Sequence, residues 1–175
     1  MTEQEAPSFA IEKLYIKDLS LEVPNAPAIF LERDAPEIGL QLQTGGLKVG
    51  DDIFEVTLTA TVTAKIGEKT VYLVEVGQAG LFRIRNIPEE NLEPLLAIAC
   101  PNILFPYVRE VVSDSVTRAG FAPVVLQPVN FEAMYAARQQ QEQEQEQEQE
   151  QEQEQEQEQE QEQEQEQEQE QTATA

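Results

Sequence analysis

The sequence predicts an α+β fold in which helices pack on one side of a four-stranded antiparallel sheet. Residues 53–66 alternate apolar and polar side chains with a period of two, which is typical of a long strand with one solvated face. Residues 70–84 follow as a second strand after a short turn at residues 67–69, which predicts a hairpin. After Pro88 the composition becomes helical. Strands followed by helices in a domain of this size favour helices gathered on one face of the sheet.

Two further strands precede the hairpin. Residues 9–23 have apolar side chains in phase, namely Phe9, Ile11, Tyr15, Leu19, Leu21 and Val23. A shorter strand is marked by Ile38, Leu40 and Leu42. Between the two strands, Pro24 and Pro27 cannot donate ladder hydrogen bonds, and Ile29, Phe30 and Leu31 follow them. We therefore expect a crossing loop that carries an apolar patch.

Two helices follow the strands. The first begins near Glu89; Pro101 predicts a break, after which the helix resumes to Ala119 and ends at Gly120. Its resumed half has one apolar face, made of Leu104, Val108, Val111, Val112, Ser115, Val116 and Ala119. Asn130 can cap a short last helix that carries Phe131, Met134 and Tyr135. One long helix cannot cover every apolar position, so the excess favours an oligomer, a peptide groove, or both.

The charge of the chain is concentrated in a repetitive tail. Residues 139–171 contain only Gln and Glu and hold 15 of the 34 acidic residues, which leaves residues 1–138 with a net charge of -8. We divide the chain into a flexible N-terminus at 1–8, one folded domain at 9–138, and a disordered tail at 139–175, where glutamates four apart would repel each other on a helix. The acidic domain disfavours nucleic acid and anionic membranes as partners and favours a basic protein surface.

The residue types present argue for a binding protein. The chain has no histidine, which removes the usual general base and metal ligand, and its one cysteine, Cys100, is interpreted as a buried apolar residue. We predict no cofactor and no metal. An oligomeric enzyme that uses carboxylates such as Glu55 and Asp114 stays open as an alternative. The first residues have no signal-peptide pattern, and no run reaches the ~18 apolar residues of a membrane span, so we expect the cytoplasm.

Three segments together resemble the SecB family of bacterial protein-export chaperones. They are Lys-Asp-Leu-Ser-Leu-Glu-Val-Pro-Asn-Ala-Pro at 17–27, Cys-Pro-Asn-Ile-Leu-Phe-Pro-Tyr-Val-Arg-Glu at 100–110 and Pro-Val-Asn-Phe at 128–131. The resemblance implies a homotetramer, a dimer of dimers, in which sheets pair across protomers and the long helices lie between them. It implies an ATP-independent holdase that binds unfolded preproteins and delivers them to the SecA translocation ATPase. SecA's C-terminal segment is basic and bears zinc, so the zinc belongs to the partner.

The resemblance also implies roles for particular residues. It assigns SecA docking to Asp18, Glu22 and Glu75; Asp18 and Glu22 are four apart on a strand and therefore project to the same side. Positions tied in the family to assembly or motor coupling correspond to Leu73, Val74, Val76 and Gln78. An apolar groove for unfolded clients is expected from Ile29, Phe30, Leu31, Phe131, Met134 and Tyr135. A SecB-like chaperone of a toxin–antitoxin system is the alternative within the same family.

Overall fold

A four-stranded antiparallel sheet forms the first part of the molecule. The computed structural model describes residues 6–145 together with residues 147 and 149. Within these residues the strands are β1 (Ser8–Glu22), β2 (Glu37–Lys48), β3 (Ile53–Ile66) and β4 (Lys69–Arg85), in the spatial order β1-β4-β3-β2. The predicted sheet and the β3–β4 hairpin are confirmed, and β2 is longer than the three apolar positions that marked it.

The helical part begins at Glu89 and continues without the predicted break. Helix α1 (Glu89–Pro94), a π-helical segment (Leu95–Ala99) and helix α2 (Cys100–Arg118) follow each other directly. The prediction of a break at Pro101 is wrong, because the wider π-helical turn before it absorbs the proline within a continuous helix. The side chain of Asn102 donates a hydrogen bond to the carbonyl oxygen of Ile98, at 2.9 Å, and so satisfies a backbone acceptor in this irregular region.

Helix α2 ends in a backbone arrangement that requires glycine. The N–H of Gly120 donates to the carbonyl of Thr117 at 3.0 Å, and the N–H of Phe121 donates to the carbonyl of Val116 at 3.2 Å. This pair of bonds is a Schellman motif, and it needs a left-handed residue. Gly120 has φ +91°. The predicted terminator is confirmed.

The core lies between α2 and one face of the sheet, which we call the inner face. The inner face carries the even-numbered residues of β3 and, from Tyr72 onward, of β4, and the opposite, outer face carries the odd-numbered ones. Val56, Leu58 and Val62 are fully buried there. Burial of each such side chain stabilises the fold by about 1.5–3 kcal/mol. The buried residues of α2 include six of the seven predicted ones, Leu104, Val108, Val111, Val112, Ser115 and Val116.

One helix meets the length and composition of a membrane span. The continuous stretch Glu89–Arg118 contains 30 residues and is apolar enough to cross a bilayer, whereas no run of that kind was expected from the sequence. This is weak evidence for a span, because the core helix of a soluble protein passes the same test. Since α2 buries one side on the sheet, we describe it as a core helix.

Strand β1 contains two bulges, and at each of them the alternation of side chains between the two faces shifts by one residue. The pairing with β4 shifts between Ile11 and Lys13 and again between Ile16 and Asp18, so Glu12 and Lys17 are the extra residues. The apolar residues that share the inner face are therefore Phe9, Ile11, Leu14, Ile16, Leu19 and Leu21. The prediction that Tyr15 belongs to this apolar set is wrong, because the first bulge moves Tyr15 to the outer face.

The last helix, α3, begins directly after Asn130. Residues 131–145 are helical, and the described residues from Glu132 onward belong to a second compact unit. Within that unit Arg138 Nε lies 3.4 Å from Glu142 Oε1, an ion pair one turn apart. Residues 139–145, the start of the tail for which disorder was predicted, are thus helical. The remaining tail residues, 146, 148 and 150–175, lie outside the described residues.

Candidate docking face and client-binding loop

Three acidic side chains share the outer face of the sheet at the β1–β4 ladder. The register pairs Asp18 with Gly77, Ser20 with Glu75, and Glu22 with Leu73. Residues directly opposite each other on antiparallel strands have Cβ atoms ~5 Å apart, so Glu75 lies between the two acids of β1. The structure therefore brings Asp18, Glu22 and Glu75 together on one face. We call these three residues the acidic patch.

The neighbours of the acidic patch fix two of its members. A Cβ atom at Gly77 would be in ordinary van der Waals contact with Asp18, 3.4 Å from its Cβ and 3.5 Å from its backbone nitrogen, so Gly77 and Asp18 lie close together. Thr61 Oγ1 donates a hydrogen bond to Glu75 Oε2 at 3.0 Å. The patch is thus supported by a small residue under one acid and a hydroxyl beside another.

Glu55 is the centre of a second polar cluster on the outer face. The hydroxyl of Tyr15 donates to Glu55 Oε1, and Lys17 Nζ lies 2.6 Å from Glu55 Oε2. The Glu55 side chain is 12% exposed. The hydrogen bonds from Lys17 and Tyr15 lower the pKa of Glu55, while the hydrogen bond to Glu55 raises the pKa of Tyr15. We call Tyr15, Lys17 and Glu55 the bulge clamp, since Lys17 is an extra residue of β1.

The bulge clamp crosses an intervening strand. In the ladder Ala79 of β4 pairs with Tyr15 on one side and with Thr57 of β3 on the other, so side chains from β1 must pass over β4 to reach Glu55. Ala79 is fully buried. A larger residue there would occupy the space through which Tyr15 and Lys17 reach across.

An open depression of about 490 Å³ lies at the free edge of the sheet formed by β2. Because Thr61 lines the depression and also bonds Glu75, the depression borders the acidic patch. Its walls belong to two neighbouring strands, and its lining residues are Glu37, Ile38, Gly39, Leu40, Gln41, Thr61, Thr63 and Lys65.

The four residues expected to act in assembly or coupling divide between the two faces. Leu73 lies on the outer face opposite Glu22, beside the acidic patch. Val74, Val76 and Gln78 lie on the inner face and are buried. Of the four, only Leu73 is placed to touch a partner that contacts the acids directly.

The crossing loop presents apolar side chains from a well-anchored backbone. Asn25 Nδ2 donates to the carbonyl oxygen of Thr70 at 2.9 Å, and Lys69 Nζ lies 2.6 Å from Glu32 Oε1, so both ends are tied to the start of β4. Between these ties, a 3₁₀ turn spans Ala28–Leu31. Within that turn Ile29 is 4% exposed, whereas Phe30 is 50% and Leu31 is 80% exposed.

Aromatic contacts support the exposed ring of Phe30. It stacks on Phe121 with ring centroids 5.1 Å apart, and Phe121 in turn contacts Tyr72 at the same distance. The stack fixes one face of the Phe30 ring and leaves the other side open.

Only some of the residues expected to form the client groove are exposed at the surface. Phe131 is 2% exposed and meets Phe105 edge to face at 5.9 Å, so Phe131 and Ile29 belong to the core. Met134 and Tyr135 lie on α3 in the second compact unit, where Met134 is exposed and the Arg138 guanidinium lies 5.4 Å from the Tyr135 ring. Phe30 and Leu31 are the members that the first unit exposes.

The carboxylates considered for catalysis lie apart. Glu55 is engaged in the bulge clamp on the outer face, whereas Asp114 pairs with Arg118 on α2, which covers the inner face. The sheet separates them. Burial raises the pKa of the Cys100 thiol to about 12, so it is not a ready nucleophile. Among the residues that the structure describes, no group of three or more acidic or cysteine side chains could hold a metal ion.

Two features of the outer face were not predicted, namely the bulge clamp and the contact between Gly77 and Asp18. Small residues at 77, 79 and 80 inside an otherwise regular strand were the available signal, because glycine within a strand often marks a close approach of another group. Nothing in the spacing of Tyr15, Lys17 and Glu55 indicated that they meet.

Comparisons with known proteins agree across most of the chain. Residues 2–142 match the family model described as SecB, preprotein translocase subunit SecB. The chain is 70% identical over 140 residues to Protein-export protein SecB of Dechloromonas aromatica, covering 80% of this chain and 92% of that protein. It is 64% identical to the protein of the same name from Azoarcus sp., with 79% and 93% covered.

A solved structure has the same fold. The Mycobacterium tuberculosis Rv1957 SecB-like chaperone, in complex with a ChAD peptide from the Rv1956 HigA1 antitoxin, superposes with a TM-score of 0.59. The alignment covers 70% of this chain and 91% of that one, at 20% sequence identity. At that identity the likeness concerns the fold alone.

Proposed function

The chain belongs to the SecB family of protein-export chaperones, and on that premise we propose that it holds unfolded preproteins in the cytoplasm without ATP and delivers them to SecA. Its role as a chaperone in preprotein export follows from membership of the family. The delivery step, the partner, the oligomeric state and the residues involved are our proposals. We propose no catalytic activity and no cofactor of its own.

The observation that carries the delivery step is the acidic patch. Asp18, Glu22 and Glu75 share one face of the sheet, and no helix of the first compact unit covers that face. A basic, zinc-bearing segment of SecA would meet three carboxylates and the apolar side chain of Leu73 there. Complementary charge steers association and orients the partner, and its effect falls as salt is added. The zinc stays with SecA.

Client binding is proposed at the crossing loop. Phe30 and Leu31 are exposed on an anchored turn, and apolar contacts with them require no particular client sequence. Met134 and Tyr135 on α3 are proposed to add further apolar contacts. Several weak contacts along one unfolded chain give a high combined affinity when the protein is oligomeric.

Assembly into a homotetramer is proposed from the exposed inner face of β1. Phe9, Ile11, Ile16, Leu19 and Leu21 all lie on the inner face, and each is at least one-third exposed. In addition, β1 is an edge strand, with a row of backbone groups free to pair. A second copy would cover both the edge and the apolar row, which accounts for a dimer. The pairing of two such dimers into a tetramer is proposed from membership of the family.

Export is favoured over service to a toxin–antitoxin system. The relatives with 64–70% identity are named for protein export. The toxin–antitoxin chaperone shares the fold at 20% identity. A pull-down of clients from cells would separate the two, because an antitoxin as the dominant client would contradict general export.

The first experiment is light scattering on a sizing column, with and without a slow-folding unfolded polypeptide. The chain has a mass of 19.7 kDa, and a tetramer is about four times heavier. A tetramer whose mass rises by one client without added nucleotide supports the holdase. A monomer that ignores unfolded chains contradicts it.

The second experiment tests docking with Asp18→Ala combined with Glu22→Ala. We expect affinity for the SecA C-terminal segment to fall about tenfold at low salt, with a smaller difference at high salt. Binding of unfolded chains should stay normal. A matched control is Asp51→Ala with Glu68→Ala, which removes the same charge from exposed turns. Equal loss of SecA binding in both double variants, or equal loss of client binding, contradicts separate sites.

A further inference from the structure

The two extra residues of β1 are both charged, and both are fastened on the outer face. Glu12, at the first bulge, lies 2.5 Å from Arg83 Nε. Lys17, at the second, lies 2.6 Å from Glu55. A bulge leaves its extra residue without a ladder partner, so a side-chain bond is what can hold it in place. Each bulge of this strand has such a bond.

The second bulge decides which way the acidic patch points. Upstream of it, Leu14 and Ile16 face inward; downstream, Leu19 and Leu21 face inward and Asp18 faces outward. Side chains alternate between the two faces along a strand. If the second bulge were lost, every residue of β1 after it would therefore move to the opposite face of the sheet. Asp18 and Glu22 would then turn toward the inner face.

Glu55 binds both the bulged residue of β1 and a residue that precedes the bulge. Tyr15 precedes the bulge and Lys17 is the bulged residue, and they bind the two different oxygens of one carboxylate on β3. Asp18 follows at the next position and lies directly against Gly77, where a Cβ atom would be 3.4 Å from Asp18 Cβ. The clamp therefore ends one residue before the first acid of the patch.

We propose that Tyr15, Lys17 and Glu55 are positioning residues that fix the second bulge of β1 and thereby aim Asp18 at the basic partner. This inference rests on the proposed docking function of the acidic patch. The clamp residues act through Asp18, and contact of the clamp itself with the partner is not required.

Charge alone makes the opposite prediction, which gives a sharp test. Lys17→Gln removes a positive charge beside an acidic patch, so simple electrostatics predicts tighter binding of a basic segment. The positioning hypothesis predicts weaker binding, because the variant loses the contact between residue 17 and Glu55 that holds the bulge, and Asp18 then loses its fixed orientation. The sign of the change separates the two explanations.

The experiment measures binding of a zinc-loaded synthetic peptide of the SecA C-terminal segment to the full-length chain. We expect Lys17→Gln to weaken binding about fivefold and Tyr15→Phe about threefold, as for residues coupled in one network. Lys17→Arg, which can still reach Glu55, should restore most of the affinity. Tyr15→Phe leaves the net charge of the chain unchanged, so a change in net charge cannot explain its effect.

The matched control is Arg83→Gln at the other bulge. It removes the same charge and unfastens Glu12, but the bulge clamp and its link to Asp18 stay intact. We expect no loss of peptide binding. Light scattering and binding of unfolded chains should be unchanged in all four variants, which shows that each one folds and assembles.

The outcomes distinguish the inference from its premise. If Asp18→Ala with Glu22→Ala leaves peptide binding unchanged, the docking proposal fails, and the inference with it. If that double variant loses binding while Lys17→Gln and Tyr15→Phe bind as tightly as the unmodified chain, the inference alone is overturned. Equal weakening by Lys17→Gln and Arg83→Gln would also overturn it.

Discussion

Gly77 pairs directly with Asp18 across the β1–β4 ladder, and a Cβ atom at Gly77 would stand 3.4 Å from the Cβ atom of Asp18. A methyl group at 77 would touch Asp18 at ordinary contact distance, whereas a larger side chain would compete with Asp18 for space. The residue at position 77 of β4 therefore bears on the position of Asp18, which belongs to the proposed docking site on β1.

A side chain at position 77 should disturb docking before it disturbs folding. We expect Gly77→Val to displace Asp18, because the branched methyl groups need space that Asp18 fills, and to weaken binding of the SecA segment about fivefold. The control is Gly45→Val, since a Cβ at Gly45 meets nothing within 4 Å. Calorimetric titration checks both. Unchanged binding by Gly77→Val would contradict the close fit.

The end of α2 should be sensitive to any side chain at Gly120. Its φ of +91° is unfavourable for other residues, and a Cβ there would lie 3.4 Å from the Phe30 ring. We expect Gly120→Ala to lower the free energy of unfolding by about 1–2 kcal/mol, measured by urea denaturation. Gly45→Ala provides the comparison. Equal stability of the two variants would mean that the Schellman turn tolerates alanine.

Neighbouring residues of the crossing loop should have opposite phenotypes. Leu31 is exposed and Ile29 is buried, so Leu31→Ser should weaken client binding with a change in stability below about 0.5 kcal/mol. Ile29→Ala should cost about 2–4 kcal/mol of stability by leaving a cavity. Urea denaturation and binding of an unfolded polypeptide measure the two effects. Client binding that is insensitive to Leu31→Ser would exclude the loop as a contact.

The bulge clamp should give stability a defined dependence on pH. The folded pKa of Glu55 is lowered below 4.5, so its stabilising contribution is present above that value and is lost as the pH falls through the folded pKa. The pKa of Tyr15 is raised above 10.0, so its contribution is lost only as the pH rises through that higher value.

The measurement is the difference in unfolding free energy between the unmodified chain and Glu55→Gln. Because the two chains share every other titrating group, the difference isolates Glu55. It should be constant from about pH 6 to 8 and shrink below about pH 4.5. A difference that persists unchanged at pH 3 would show that the carboxylate has no special stabilisation.

Removal of residues 139–175 should leave assembly and stability unchanged. Among the residues that the structure describes, the buried residues of the hydrophobic core lie between Ile29 and Phe131. The deleted segment consists almost entirely of Gln and Glu, so its sequence offers little apolar surface to add to that core. Light scattering should still give the mass of four chains, and the unfolding temperature should shift little. Loss of the tetramer in the truncated chain would contradict this and would assign the tail a structural role.

Alternation and helical periodicity were enough to predict the four strands, the hairpin and the buried stripe of α2. The face of Tyr15 was not predictable, because a bulge adds one residue without a local mark and reverses the phase of everything after it. The break at Pro101 was wrong for a related reason: a π-helical turn at residues 95–99 accommodates the proline, and such turns have no strong pattern of their own.

The candidate site was predictable in part. Asp18 and Glu22 were expected on one side of β1, and the register places them there with Glu75 between. The groove was harder, since Ile29 and Phe131 have the same apolar character as Phe30 but lie in the core. Apolarity identifies residues that avoid water, and only packing separates those that are covered by their own chain from those left for a partner.

The ties at Asn25 and Lys69 determine where the entropic cost of holding an unfolded chain falls. Because the loop that carries Phe30 and Leu31 is tied to β4 at both ends, it would lose little conformational freedom if a client bound there as proposed. The client, which has many conformations to lose, bears most of that cost. The conformational entropy that a client segment loses therefore lowers its affinity for the loop. Folding competes with binding for the same segment, because a folded segment has buried the apolar side chains that the loop would contact, so a segment that folds quickly is released.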